Sequence, residues 1–284
     1  MAHADTAAAT ARHGRAALLA VSLTALVTAV ASARLFGLDP LIPWHDEVYT
    51  LLRVFGHPVR DGWDLLFGGA ILTPDALLAL QRPDPAFGWA DTWRELIGHP
   101  EHAPLYYLLG RLAAELPLEP LVALRGTSAV FGLLLPAAAF WLLRELFGRG
   151  PAPWIAALLI ACSPLHLLYA QEARQYALWT LLVLAASATL VRALRPAARG
   201  GGDRTGAWVL YGLLLTAGLY THLLFVLMLP VHAAYGWLSG ATGRERRRDL
   251  PWRPWLLAAG SALLLFLPWA IVVLAGLDRA LDYT

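Results

Sequence analysis

The chain has 284 residues, of which 58% are apolar and 15% charged. A soluble globular domain carries about 45–50% apolar and about 25% charged residues, so the composition excludes an ordinary soluble domain and a disordered chain alike. It points to one polytopic membrane bundle, and a formal net charge of +2, spread between apolar segments, argues against a nucleic-acid binder.

All 22 basic residues are Arg, and the chain has neither Lys nor Asn. That usage implies a gene rich in G and C, and it leaves no N-glycosylation sequon. The single Cys, Cys162, excludes an intrachain disulfide framework.

A span needs about 20 mostly apolar residues to cross a hydrocarbon core of about 30 Å. The run 16–33 is the first to qualify, with Arg12 and Arg15 before it and Arg34 after it. Ala31-Ser32-Ala33 resembles a signal-peptide cleavage site. The run exceeds a usual signal-peptide core and further spans follow, so an uncleaved span behind a cytoplasmic tail of residues 1–15 is expected. Residues 37–102 hold no span-length apolar run. They read as a long extracytoplasmic loop with short amphipathic helices near 48–55, 75–81 and 92–97, its Trp and Tyr suited to the membrane–water interface.

Further apolar segments fall near 103–116, 121–143, 152–170, 173–194, 207–220, 222–239 and 254–275. Arg144 and Arg149 occupy one connection; Arg192, Arg195, Arg199 and Arg204 a second, Gly-rich one; Arg244, Arg246, Arg247, Arg248 and Arg253 a third. Positive loops face the cytoplasm, so the alternate connections, around 171–174 and 221–222, face outward. The segment 103–116 is about 21 Å long as a helix and reads as interfacial or re-entrant. The stretch 207–239 is about 50 Å, which suits a broken pair bent near His222. The expected fold is therefore an all-α integral membrane bundle of about seven transmembrane helices, residues 16–284.

Polar residues collect at the outward ends. Pro43-Trp44-His45-Asp46-Glu47 puts two adjacent carboxylates beside the first span. They are either a general base or metal ligands, or acids complementing a helix N-terminus. The stretch from Ser163-Pro164 through Tyr169-Ala170-Gln171-Glu172-Ala173-Arg174-Gln175-Tyr176 interrupts about 40 apolar residues. Charged groups at membrane depth cost about 2.5–3.5 kcal/mol on insertion scales and mark sites or pathways, unless this is a short polar turn with Arg174 snorkelling. Glu172 and Tyr176 share a helix face at i, i+4. His99-Pro100-Glu101-His102 lacks the partner ligands of a structural zinc site. Arg125 reads as an anion-binding fork or a headgroup anchor, and His222 as a site residue or a bend residue.

Trp44-His45-Asp46-Glu47, His102-Ala103-Pro104-Leu105-Tyr106-Tyr107, Arg125-Gly126-Thr127-Ser128, the stretch from Ser163 to Tyr176, and Tyr220-Thr221-His222 occur in this order. As an ordered set they resemble the membrane glycosyltransferases of the GT-C fold. The likeness is to the family-39-like group, related to protein O-mannosyltransferases and lipid A aminoarabinose transferases. Two departures are mild: that family often has Pro-Pro where this chain has Ala103-Pro104, and Arg-x-Pro-Ser where it has Thr127-Ser128.

The resemblance implies a hexosyl- or pentosyltransferase in the plasma (inner) membrane. It would take a sugar from a polyprenyl-phosphate donor at the extracytoplasmic face and pass it, with inversion, to a glycan, lipid or protein acceptor. Asp46 maps to the family's base, with Glu47 beside it. Arg125, Glu172, Arg174, Tyr176, His102 and His222 map to donor-phosphate or substrate binding. Asp46 and Glu172 are also the candidate ligands for a divalent cation, Mg²⁺ or Mn²⁺. GT-C chains usually run longer, so a C-terminally truncated or minimal core is expected here. Two alternatives stand beside the enzyme: a non-catalytic or truncated paralogue, and a membrane transporter or lipid-carrier flippase.

Overall fold

The computed structural model describes residues 2–39, 42–58, 64, 67–69, 71–195, 204–241 and 252–277. The Gly-rich connection at 199–203 and Arg244, Arg246, Arg247 and Arg248, on which the expected sidedness leans, lie outside these residues. Among the described residues all regular structure is helical.

Helix α1 (Ala2–Ala31) runs into a 3₁₀ turn (Ser32–Leu35), and three short helices follow, α2 (His45–Phe55), α3 (Pro74–Ala79) and α4 (Trp89–Gly98). Then come α5 (Leu105–Ala113), α6 (Pro120–Phe147), α7 (Pro151–Cys162), α8 (Pro164–Ala170) and α9 (Tyr176–Leu194). Helix α10 (Arg204–Thr221), a 3₁₀ segment (Leu223–Leu227), α11 (Met228–Ala241) and α12 (Trp252–Ala275) complete the chain.

Four stretches are long and apolar enough to cross a membrane: Ala17–Leu35, Pro120–Phe147, Tyr176–Leu194 and Trp252–Ala275. The pair α7 and α8 makes a fifth if its two members, bent by 59°, count as one span. Of the about seven spans expected, four or five therefore meet this length and composition among the described residues. Helix α10 has 18 residues, but Arg204, three Thr and two Tyr make it less apolar. The segment 103–116 holds only the nine-residue α5.

Local chemistry sets the breaks. Pro120 follows the N-cap Glu119, whose carboxylate accepts from Val122 N at 3.1 Å, so the cap side chain satisfies one first-turn N–H of α6 and Pro120 has none to satisfy. The segment 152–170, expected as one span, is broken at Ser163. Pro164 has no N–H for the Ile160 carbonyl, and the Ser163 side chain caps α8 instead. The freed carbonyls are met by Arg34, fully buried, which donates to Ile160 O at 2.8 Å and Ala161 O at 3.2 Å. Gly132 lets α6 approach this corner. A Cβ there would stand 2.3 Å from Ala170 Cβ.

Packing joins α6 to α7 and α9, α9 to α10, and α10 to α12. One buried cluster lies between α9, α10 and α12, around Leu182, Trp208, Tyr211 and Trp255. A second, with Leu51, Val54, Phe55, Leu96, Tyr107, Leu124 and Trp269, docks α2 and α4 onto α5, α6 and the far end of α12. Large apolar side chains such as Leu159, Leu257, Leu264 and Leu274 stay exposed on the outside, as a lipid-facing surface allows.

The bundle has two chemically different ends. At one, Glu145 pairs with Arg195 at 3.0 Å and Arg192 at 3.7 Å, and Arg204 reaches Ala193 O. At the other, Arg125 sits near the start of α6. Arg125 and Glu145 are about 30 Å apart at about 1.5 Å per residue, the thickness of a hydrocarbon core.

Candidate active site

The site grows from α2. Asp46 and Glu47 stand in its first turn, where acids complement the helix dipole, but adjacent residues point to different faces. Glu47 turns inward and is 1% exposed. Arg125 grips it bidentately, donating from Nε and Nη2 at 2.8 Å each. Ala173 N donates to the same carboxylate at 2.7 Å and Trp44 N at 3.3 Å. Four donors fill the roughly four lone-pair sites of a carboxylate. Glu47 and Arg125 thus pin α2, α6 and the turn after α8 to one point, and Arg125 also donates to Leu38 O at 2.7 Å.

Asp46 faces the other way, its side chain 30% exposed. It lies 3.4 Å from Arg174 and 3.5 Å from His45 Nδ1. Arg174 is the hub. Its guanidinium approaches the Asp46 carbonyl at 3.4 Å, Thr50 Oγ1 at 3.5 Å and Tyr107 Oη at 3.3 Å. It also sits over the Tyr176 ring at 5.7 Å. Its own carbonyl accepts from Ser128 Oγ at 3.0 Å, and Ser128 meets Tyr106 Oη at 2.7 Å. The side chain is buried, yet its Nε has no partner among the described residues.

Glu172 is half-buried, and its Oε2 likewise has no partner. Burial first, then the neighbouring Glu47 and Asp46 carboxylates, push its carboxyl up to about 7, against the pull of Arg174 and Arg125. Asp46, Glu172, Arg174 and Arg125 therefore share one electrostatic neighbourhood despite the sequence separation.

On the far side of Tyr107, the His102 ring meets the Tyr107 edge at 5.7 Å and lies 3.1 Å from the Glu101 carboxylate. Burial, with Arg53 and Arg174 adding to it, lowers His102 to about 4, although Glu101 opposes this. Neutral His102 donates Nδ1–H to Glu101. Burial works against the Glu101 carboxylate, but hydrogen bonds from His102 and His99 hold it far below the usual carboxylate range.

Sequence reasoning missed Arg53. Its side chain is 4% exposed, 3.8 Å from Glu101 and stacked over Tyr49 at 5.1 Å, with no partner for Nε among the described residues. A signal existed: Asp46, Thr50 and Arg53 repeat at i, i+4, i+7, one helical stripe, and Arg53 interrupts Leu51-Leu52 and Val54-Phe55.

Tyr176 and His222 stand beside this cluster. Tyr176 meets Tyr169 edge-on at 5.0 Å, and His222 stacks on Trp179 at 4.2 Å within electrostatic reach of Arg174. His222 also caps the 3₁₀ segment by accepting from Leu224 N. A cavity of about 300 Å³ opens among Tyr169, Tyr176, Trp179, His166 and Leu165. Among the described residues no group of three His, Cys, Asp or Glu side chains could hold a metal ion. Asp46 and Glu172 offer two carboxylates, enough for Mg²⁺ or Mn²⁺ only if a bound phosphate completes the shell.

Fold and site together define a multi-pass helical membrane protein with buried arginines and carboxylates gathered at one end of its bundle. Residues 101–272 match the protein family described as dolichyl-phosphate-mannose-protein mannosyltransferase. The chain belongs to this family of GT-C-type membrane glycosyltransferases. No curated protein and no solved structure matches it. The family match takes in His102, Arg125, Glu172, Arg174, Tyr176 and His222, whereas Asp46 and Glu47 precede it.

Proposed function

We propose that the protein transfers a hexosyl group, mannose by the family's description, from a polyprenyl-phosphate donor to an acceptor hydroxyl at the extracytoplasmic face of the plasma membrane. Acceptors of glycan, lipid or protein type all present such a hydroxyl. The observation that carries this reading is Arg174. One buried guanidinium gathers Asp46, Thr50, Tyr107 and Tyr176, while its own Nε and Glu172 Oε2 have no partner among the described residues.

Asp46 is the general base. Glu47 has no lone pair to spare, whereas Asp46 is partly exposed and lies 3.4 Å from Arg174. It takes the proton of the acceptor hydroxyl as that oxygen attacks the anomeric carbon. The bond between that carbon and the phosphate oxygen breaks on the opposite face, its electron pair staying on the phosphate, so configuration inverts. Arg174 and Arg53 stabilise the charge that develops there, and weak screening in a half-buried site strengthens them. His102, kept neutral, positions Glu101 and Tyr107 against Arg53. The aromatic cavity at Tyr169, Tyr176 and Trp179 offers ring faces to the sugar, and His222 stacks on Trp179 beside it. A divalent cation held by Asp46, Glu172 and the donor phosphate would add positive charge at the leaving group; the roles given to Asp46 and the arginines do not depend on it.

The test uses the purified chain in liposomes with radiolabelled polyprenyl-phosphate mannose and a hydroxyl acceptor. Losing one preorganised donor costs about 10²–10³ in rate, so Arg174→Ala loses transfer by that factor and Arg174→Lys recovers part. Undiminished transfer by Arg174→Ala overturns the assignment.

A further inference from the structure

A second cavity lies away from the active site, along the contact between α10 and α12. It is a groove of about 650 Å³, lined at one end by Arg204 and Thr205, along its length by Trp208, Leu213 and Leu257, and at the far end by Leu265. We propose that this groove binds one anionic glycerophospholipid of the leaflet at the Arg-rich end of the bundle, with an acyl chain in the groove and the phosphate at Arg204 and Arg253.

Position, length and charge agree on this occupant. The groove opens at the end where Glu145, Arg192 and Arg195 cluster, opposite the catalytic residues. It runs from Arg204 to Thr216 on α10, which is about 18 Å at about 1.5 Å per residue. One leaflet of a core about 30 Å thick is about 15 Å deep, so the groove spans the depth of a single acyl chain. Its floor is small and apolar, with Gly212, Ala258 and Ala262. Its volume falls in the range of about 300–1,000 Å³ typical of small-molecule sites.

The mouth is cationic. Arg204 opens α10, and Arg253, one residue before the groove-lining Pro254, lies in the first turn of α12; both side chains are exposed. Two helix N-termini therefore meet at the mouth, and each presents unsatisfied N–H groups to an anion. Basic pockets between transmembrane helices are the usual receptors for anionic headgroups. A free phosphate would use the mouth and leave the apolar groove without a role. A zwitterionic lipid would use the groove and gain little from the arginines.

Native mass spectrometry of the full chain, released from detergent with equal dioleoyl-phosphatidylglycerol and dioleoyl-phosphatidylcholine, tests the assignment. The wild type retains one phosphatidylglycerol in preference. Each Arg near the surface contributes about fivefold, so Arg204→Gln with Arg253→Gln cuts the preference by roughly 25-fold, and the paired Lys variants restore it. Ser261→Phe, at an exposed position on the groove wall, blocks retention of either lipid and leaves the thermal midpoint without added lipid unchanged. Equal retention of the two lipids overturns the proposal, as does a preference untouched by the Gln pair. A dimer that closes the groove and excludes lipid also overturns it, because the occupant is then a second copy.

Discussion

Replacing Arg125 with Met would strip the Glu47 carboxylate of its bidentate partner while leaving it buried. Glu47 is 1% exposed and Arg125 2%, so water cannot take over the role of the guanidinium. Breaking a buried pair by removing one partner costs about 3–5 kcal/mol, most of it the uncompensated charge left behind. On the scaling for chains of 150–250 residues, about 2–4 °C per kcal/mol, that lowers the unfolding midpoint by roughly 6–20 °C. Adding Glu47→Gln removes the charge while keeping an amide oxygen for Ala173 N, the shorter of the two backbone contacts, and gives up the longer one from Trp44 N. The double variant therefore regains part of the loss, with a coupling of about 0.5–3 kcal/mol. Intrinsic fluorescence of the twelve Trp is the appropriate readout, because the one thiol, Cys162, is already exposed and would react with a thiol dye before unfolding. A midpoint for Arg125→Met within about 2 °C of wild type, or a double variant as damaged as the two singles summed, refutes the reasoning.

Glu172 makes stability depend on pH. Its carboxyl is raised from 4.5 to about 7, so the folded state holds the proton more tightly than the unfolded chain. Its contribution is full below pH 4.5 and is lost as pH rises through about 7; in thermal scans Glu172→Gln flattens that decline, and parallel wild-type and Glu172→Gln profiles contradict it. For sidedness, Asp84→Cys in a Cys162→Ala background is labelled by an impermeant thiol reagent in intact cells and Gly201→Cys is not; the reverse pattern inverts the topology.

Much of the fold is legible in the sequence, because apolar runs of 19–28 residues admit few alternatives to a helix. His222 marks the end of α10, whereas the break between α7 and α8, signalled by Pro164 after Ser163, is not separated at the level of sequence from a single span over 152–170. What periodicity does not convey is which of two adjacent acids turns inward. Asp46 and Glu47 look equivalent as letters, and only the approach of Arg125 and Ala173 from distant elements separates the saturated carboxylate from the partly exposed one. Arg34 is hidden for the same reason. It reads as a residue flanking the first span, yet it serves carbonyls freed 126 positions later. Arg53 belongs with them: a charged residue in an apolar helix face gains its meaning only from the Glu101 and Tyr107 that fold against it.

The most direct test of the central claim is the transfer rate of Asp46→Asn beside wild type, in liposomes at saturating polyprenyl-phosphate mannose, with donor KM measured in parallel. A general base is worth roughly 10²–10⁴ in rate, so kcat falls by that factor while the donor KM, set by Arg174 and Arg53, stays within a few-fold. A kcat for Asp46→Asn within a few-fold of wild type would contradict the account and remove Asp46 from the role of base.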